Sequence, residues 1–69
     1  MVEVFKTNVQ HHRMAKQLTE KLTGQFPGYK VNFDLTDCDR ILRVEGTEVN
    51  PQHIMAIIKG DGYYCDVLE

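Results

Sequence analysis

Residues 29–45, YKVNFDLTDCDRILRVE, decide how this chain folds. Tyr29, Val31, Phe33 and Leu35 alternate with Lys30, Asn32 and Asp34, the two-residue period of a strand with one face buried and the other wet. The polar run Thr36-Asp37-Cys38-Asp39 interrupts that period, and residues 40–45 resume it with Leu42 and Val44 turned inward. Two such runs joined by a short polar turn form a β-hairpin, so the sheet is antiparallel here.

Working outward toward the start of the chain, VEVFK predicts a strand over 2–6 with Val2 and Val4 inward and Phe5 on the opposite face. The stretch KTNVQHHRM, residues 6–14, then turns strand into helix. Thr7 or Asn8 is the expected N-cap, and Thr7 with Gln10 fits a capping box. Met14, Leu18, Leu22 and Phe26 recur every four residues with Ala15 beside them, which predicts a helix over 9–24 with Met14 in the core. Gly24 and the Pro27-Gly28 pair close it.

In the other direction Gly46 ends the hairpin, and Asn50-Pro51 is a cap followed by a first-turn proline. The helix that follows points Ile54, Ile57 and Ile58 at the core and stops at Lys59-Gly60. A last strand is expected over 63–68, with Tyr63, Cys65 and Val67 on one side and Tyr64, Asp66 and Leu68 on the other. The order βαββαβ places the chain in the α+β class as a ferredoxin-like sandwich. Its four-stranded antiparallel sheet has the expected order 4-1-3-2, with two helices on one face, in a single domain spanning 1–69.

Composition narrows the functional classes. Hydrophobic residues make up 42% and charged residues 26%, too apolar for a disordered chain. A net charge of −2 carries no electrostatic footprint for phosphate backbones or anionic membranes. The open-face aromatics also lack the basic Gly-aromatic signature of RNA-binding modules, so no nucleic-acid partner is expected. No leader-like pattern and no run of membrane-spanning length occurs, so the expected location is cytoplasmic, away from the membrane. Glycine-rich phosphate loops, nucleophile elbows and CxxC pairs are absent, and no nucleophile–base pair stands out. Arg13 is the one loop arginine placed to hold a phosphate, without a supporting motif, and no enzymatic activity is expected.

The order of landmarks resembles the heavy-metal-associated domains, the copper chaperones and the N-terminal modules of metal-transporting ATPases. The likeness rests on the first loop, on Phe26-Pro27-Gly28-Tyr29 before the second strand, on the Val49-to-Ile58 helix, and on Gly62-Tyr63 before the last strand. The resemblance implies a small non-enzymatic metal-binding or carrier module. That family grips its ion with a CxxC in the first loop, which corresponds here to His11 or His12 and Met14 or Ala15. Neither thiolate is present, so metal binding is expected to be absent, or weak and altered.

Two candidate sites follow. The topology gathers the first loop, the 36–39 turn and the 60–62 loop at one end of the sheet, collecting His11, His12, Cys38 and Asp61 near Asp37 and Asp39. Imidazole, thiolate and carboxylate form a mixed donor set for zinc, copper or nickel. The plainer alternative makes His11 and His12 exposed first-turn residues that diverge by about 100° and chelate nothing together. His53, in the first turn of the second helix, is read as exposed and structural. The second candidate is the open sheet face, where Phe5, Ile41 and Tyr64, with Arg43, would form a surface for a protein partner, a small ligand or a homodimer. Cys38 is expected to be an accessible, unactivated thiol and Cys65 a small buried hydrophobe. A bridge between them would cross too many strand spacings to form.

Overall fold

The computed structural model describes residues 1–36, 38 and 40–68. The elements run β1 (Val2–Thr7), α1 (His12–Gln25), β2 (Lys30–Asp34), β3 (Ile41–Glu45), α2 (Pro51–Gly60) and β4 (Cys65–Val67). The strands form one sheet of order β2-β3-β1-β4, every pair antiparallel, which is the expected 4-1-3-2 arrangement read from the other edge. Among the described residues no helix is long and apolar enough to cross a membrane.

Register fixes which side chains form the core. Phe5 lies opposite Leu42 on β3 and Val67 on β4, and Leu42 in turn lies opposite Phe33 on β2. Side chains of one row share a face, so these four project to the same side of the sheet. Phe5, Leu42, Val44 and Cys65 are buried there together with Ala15, Leu18 and Leu22 of α1 and Ile54 and Ile58 of α2. Both helices therefore cover the same face.

This corrects the first strand by one residue. Phe5 is fully buried while Val2 is 52% exposed, the reverse of the expected facing. In VEVFK the alternation fits either face, and a one-residue slip exchanges them. Phe5 inward gains core partners on both neighbouring strands, Leu42 and Val67, and this facing keeps the Lys6 ammonium, which shares the row parity of Val2 and Val4, on the open side. Phe5 accordingly does not belong to the open face.

The start of α1 also differs. Thr7 is the last residue of β1 rather than a cap, and the helix begins at His12, with His11 extended at φ −121° and ψ 139° and no side-chain cap bond. Val9, expected inside the helix, is fully buried in the connecting loop. With that start, Ala15, Leu18 and Leu22 are the buried residues of the helix. Met14 is displaced from the stripe and is 38% exposed, so its expected core position is corrected. The second helix matches its sequence signal: Asn50 caps it by accepting from the Gln52 N–H at 3.0 Å, and Pro51 occupies the first turn.

The end of the sheet away from the first loop is locked by Tyr29. Its ring stacks on Phe26 at 4.8 Å between centroids and 19° between planes. Its hydroxyl donates to the Glu48 carbonyl at 3.0 Å. Gly46 lies under that ring, where an added Cβ would fall 2.8 Å from the Tyr29 Cδ1. Absence of a side chain is what lets the two segments approach so closely.

Candidate functional site

The loop between β1 and α1 is built by polar residues that spend their bonds on the protein itself. Thr7, 7% exposed, donates from Oγ1 to the Arg40 carbonyl at 2.7 Å and accepts from the Val9 N–H at 3.2 Å. Asn8 accepts on Oδ1 from the Tyr64 N–H at 2.8 Å. One threonine and one asparagine thus tie the first loop to the start of β3 and to the approach to β4. Strand direction dictates this meeting, because β1 and β2 end where β3 and β4 begin.

Arg40 closes the hairpin turn beside them. It holds φ at 48°, in the left-handed region that costs a side-chain-bearing residue roughly 1–2 kcal/mol. Its Nη1 donates to the Leu35 carbonyl at 2.6 Å, and its own carbonyl takes the Thr7 hydroxyl. The two contacts hold the strained residue from both sides. Asp37 and Asp39, expected to contribute to this end, lie outside the described residues.

The four expected metal ligands have different surroundings. His11 and His12 are exposed at the N-cap and first position of α1, and Cys38 is an exposed free thiol in the β2–β3 turn. Asp61 is engaged elsewhere, its Oδ1 2.6 Å from Lys21 Nζ in a half-exposed ion pair that links the end of α2 to the flank of α1. Among the described residues, no group of three or more His, Cys, Asp or Glu is placed to hold a metal ion. Met14 has a local role instead, its thioether accepting from the Tyr63 hydroxyl. His53 is exposed and lies parallel to the Phe26 ring at 6.2 Å.

The Cys65 thiol has a perturbed acidity. Burial pushes its pKa up to about 11, with Lys59 pulling it down and Asp66 pushing it further up. It therefore stays protonated near neutrality, facing Thr7 across the β1–β4 pair, and is no nucleophile. Both cysteines are free, as their expected separation requires.

The open face of the sheet carries Val2, Val4 and Lys6 from β1, Ile41, Arg43 and Glu45 from β3, and Lys30, Asn32 and Asp34 from β2, by the same register that buries Phe5. Ile41 is half-buried and Tyr64 is 47% exposed just before β4. A shallow hollow of about 290 Å³ lies between Asn32, Asp34, Ile41 and Arg43. On the helix side, a second groove of about 450 Å³ runs between α1 and β2, with Val31, Phe33 and Ala15 at its base and His12, Lys16 and Glu20 along it. This groove escaped the sequence reading. Its signal was present, since order 4-1-3-2 makes the strand KVNFD an edge of the sheet.

Comparison with protein families, with curated proteins and with solved structures returns no match.

Proposed function

We propose that this chain is a small non-enzymatic binding module on a ferredoxin-like scaffold of the heavy-metal-associated kind, with the thiolates lost so that metal binding is absent or weak and altered. The observation supporting it is the construction of the first loop. Thr7, Asn8 and Val9 brace the loop from within, while His11 and His12 stand exposed at the first turn of α1, where the resembled family holds its ion. A braced loop that presents imidazoles suits reversible capture better than chemistry on a substrate. Titration with Zn(II), Cu(I), Cu(II) and Ni(II), against a His11→Ala/His12→Ala control, tests the residual metal site. Millimolar or weaker affinity unchanged in the control leaves the module without metal. Tight binding that survives the control refutes the assignment to these histidines.

A second reading is favoured by the exposed and half-buried apolar residues of the open face. Ile41 and Tyr64, with Val2 and Val4 nearby, suit a protein partner, a small regulatory ligand or a homodimer. Light scattering across a dilution series and capture experiments with Ile41→Ser and Tyr64→Ser test it. A monomer whose captured partners are unchanged by both substitutions rejects this surface.

A further inference from the structure

We infer that the outer edge of β2 is a self-association surface, on which a second copy of the chain pairs antiparallel to make one continuous eight-stranded sheet. This goes beyond the proposed function and stands independently of it. It rests on the sequence of the edge strand: Lys30-Val31-Asn32-Phe33-Asp34 is complementary to itself when reversed. A two-fold axis through Asn32 sets Lys30 of one copy opposite Asp34 of the other, twice, and Val31 opposite Phe33, twice. An isologous interface needs this reciprocity, in which residue i meets j and j meets i. Opposite charges and β-branched–aromatic pairs are favourable cross-strand neighbours.

The surroundings leave room for such a partner. Among the described residues β2 pairs only with β3, so residues 30–33 form an outer edge, the template for adding a strand. The five residues alternate in exposure: Lys30, Asn32 and Asp34 are exposed, and Val31 and Phe33 are half-buried. An added strand would cover those two apolar side chains, which the protein's own core leaves partly open. The groove between α1 and β2 gives the incoming strand space, with Lys16 and Glu20 supplying both charge signs along it. Asp34 accepts from the Thr36 N–H and hydroxyl on Oδ1. The other sheet edge is a poorer template, because β4 has only three residues.

A strand-edge contact of this length is a small interface, so the dimer is expected to be concentration-dependent and sensitive to salt. Sedimentation across a dilution series reads it directly. Lys30→Asp and Asp34→Lys chains, each folded by circular dichroism, are expected to be monomeric alone, because like charges then face each other. Mixed together, they are expected to recover a 1:1 heterodimer at the concentration where the wild-type protein dimerises. Asn32→Cys in a Cys38→Ser background is expected to cross-link to itself under mild oxidation. Edge pairing brings the two position-32 Cα atoms to about 4.5–5.5 Å, within disulfide reach. Packing through the open faces would hold the sheets about 10 Å apart and form no such bond. A monomeric wild-type protein at millimolar concentration overturns the proposal. So does a dimer unaffected by both charge reversals, or one that Asn32→Cys fails to cross-link.

Discussion

Replacing Thr7 by valine isolates the joint at which three segments of this protein are tied. The side chain is nearly isosteric, so packing beside Cys65 is kept while two hydrogen bonds disappear. Val9 is fully buried, so its N–H is left without a partner, and the Arg40 carbonyl loses the contact that holds a left-handed residue in place. Two such losses amount to about 2–3 kcal/mol, since one buried donor is orphaned. The added methyl group returns about 0.8 kcal/mol. A net destabilisation of about 1–2 kcal/mol is expected. In a domain of this size that lowers Tm by roughly 5–15 °C. Thermal and urea unfolding followed by circular dichroism measure it, and hydrogen exchange at the Val9 amide locates it. Thr7→Ser keeps both bonds and should retain Val9 protection while losing at most about 1 kcal/mol of methyl burial. A Thr7→Val protein as stable as wild type, with Val9 still protected, would refute the reasoning.

Gly46→Ala should destabilise by about 1–3 kcal/mol, because the new Cβ meets a Tyr29 ring pinned by its stack and its hydroxyl bond. In a Tyr29→Ala background the same substitution is expected to be neutral or stabilising, and a cost that persists there locates the strain elsewhere. Phe5→Ala, which empties the centre of the core, should cost about 3–5 kcal/mol and leave little folded protein at 37 °C; mild destabilisation would mean that Phe5 is on the open face after all. The thiols should react in sequence, Cys38 with Ellman's reagent in the native state and Cys65 only on unfolding. The raised Cys65 also sets a pH dependence. Its proton is held more tightly in the folded state, so its contribution is fully present below about pH 9 and is lost as pH rises toward about 11. Urea titrations from pH 7 to 11 should show that decline, and Cys65→Ala should remove it; an unchanged slope would assign the loss to other groups.

Elements were legible where sequence pattern and local chemistry agree. Asn50-Pro51 names the start of α2, and the alternation of residues 30–34 and 41–45 names the hairpin. The sheet order followed from these elements and from the rules of chain connection. The misread positions are those where short-range signals are degenerate. VEVFK alternates equally well on either face, and only the opposed Leu42 and Val67 decide for Phe5. Thr7 and Asn8 look like helix caps because their side chains bond backbone, but the backbone they bond belongs to Arg40, Val9 and Tyr64. Neither the β1–β3 contact at Arg40 nor the Lys21–Asp61 pair leaves a trace in local sequence, as each joins residues 33 and 40 positions apart.

The first loop has a further consequence, in what it permits. Val9 and Ala15 are both buried and act as fixed posts, whereas Gln10, His11, His12, Arg13 and Met14 between them are all exposed. With no side-chain cap at His11, the fold makes, among the described residues, one side-chain demand on this span, the Met14 thioether that accepts from the Tyr63 hydroxyl. Its chemistry can therefore be rewritten with the scaffold left standing. An experimenter can graft there, for example by installing cysteines at the exposed positions 11 and 12. An exposed segment between two buried anchors makes this loop a suitable host for grafted sequences.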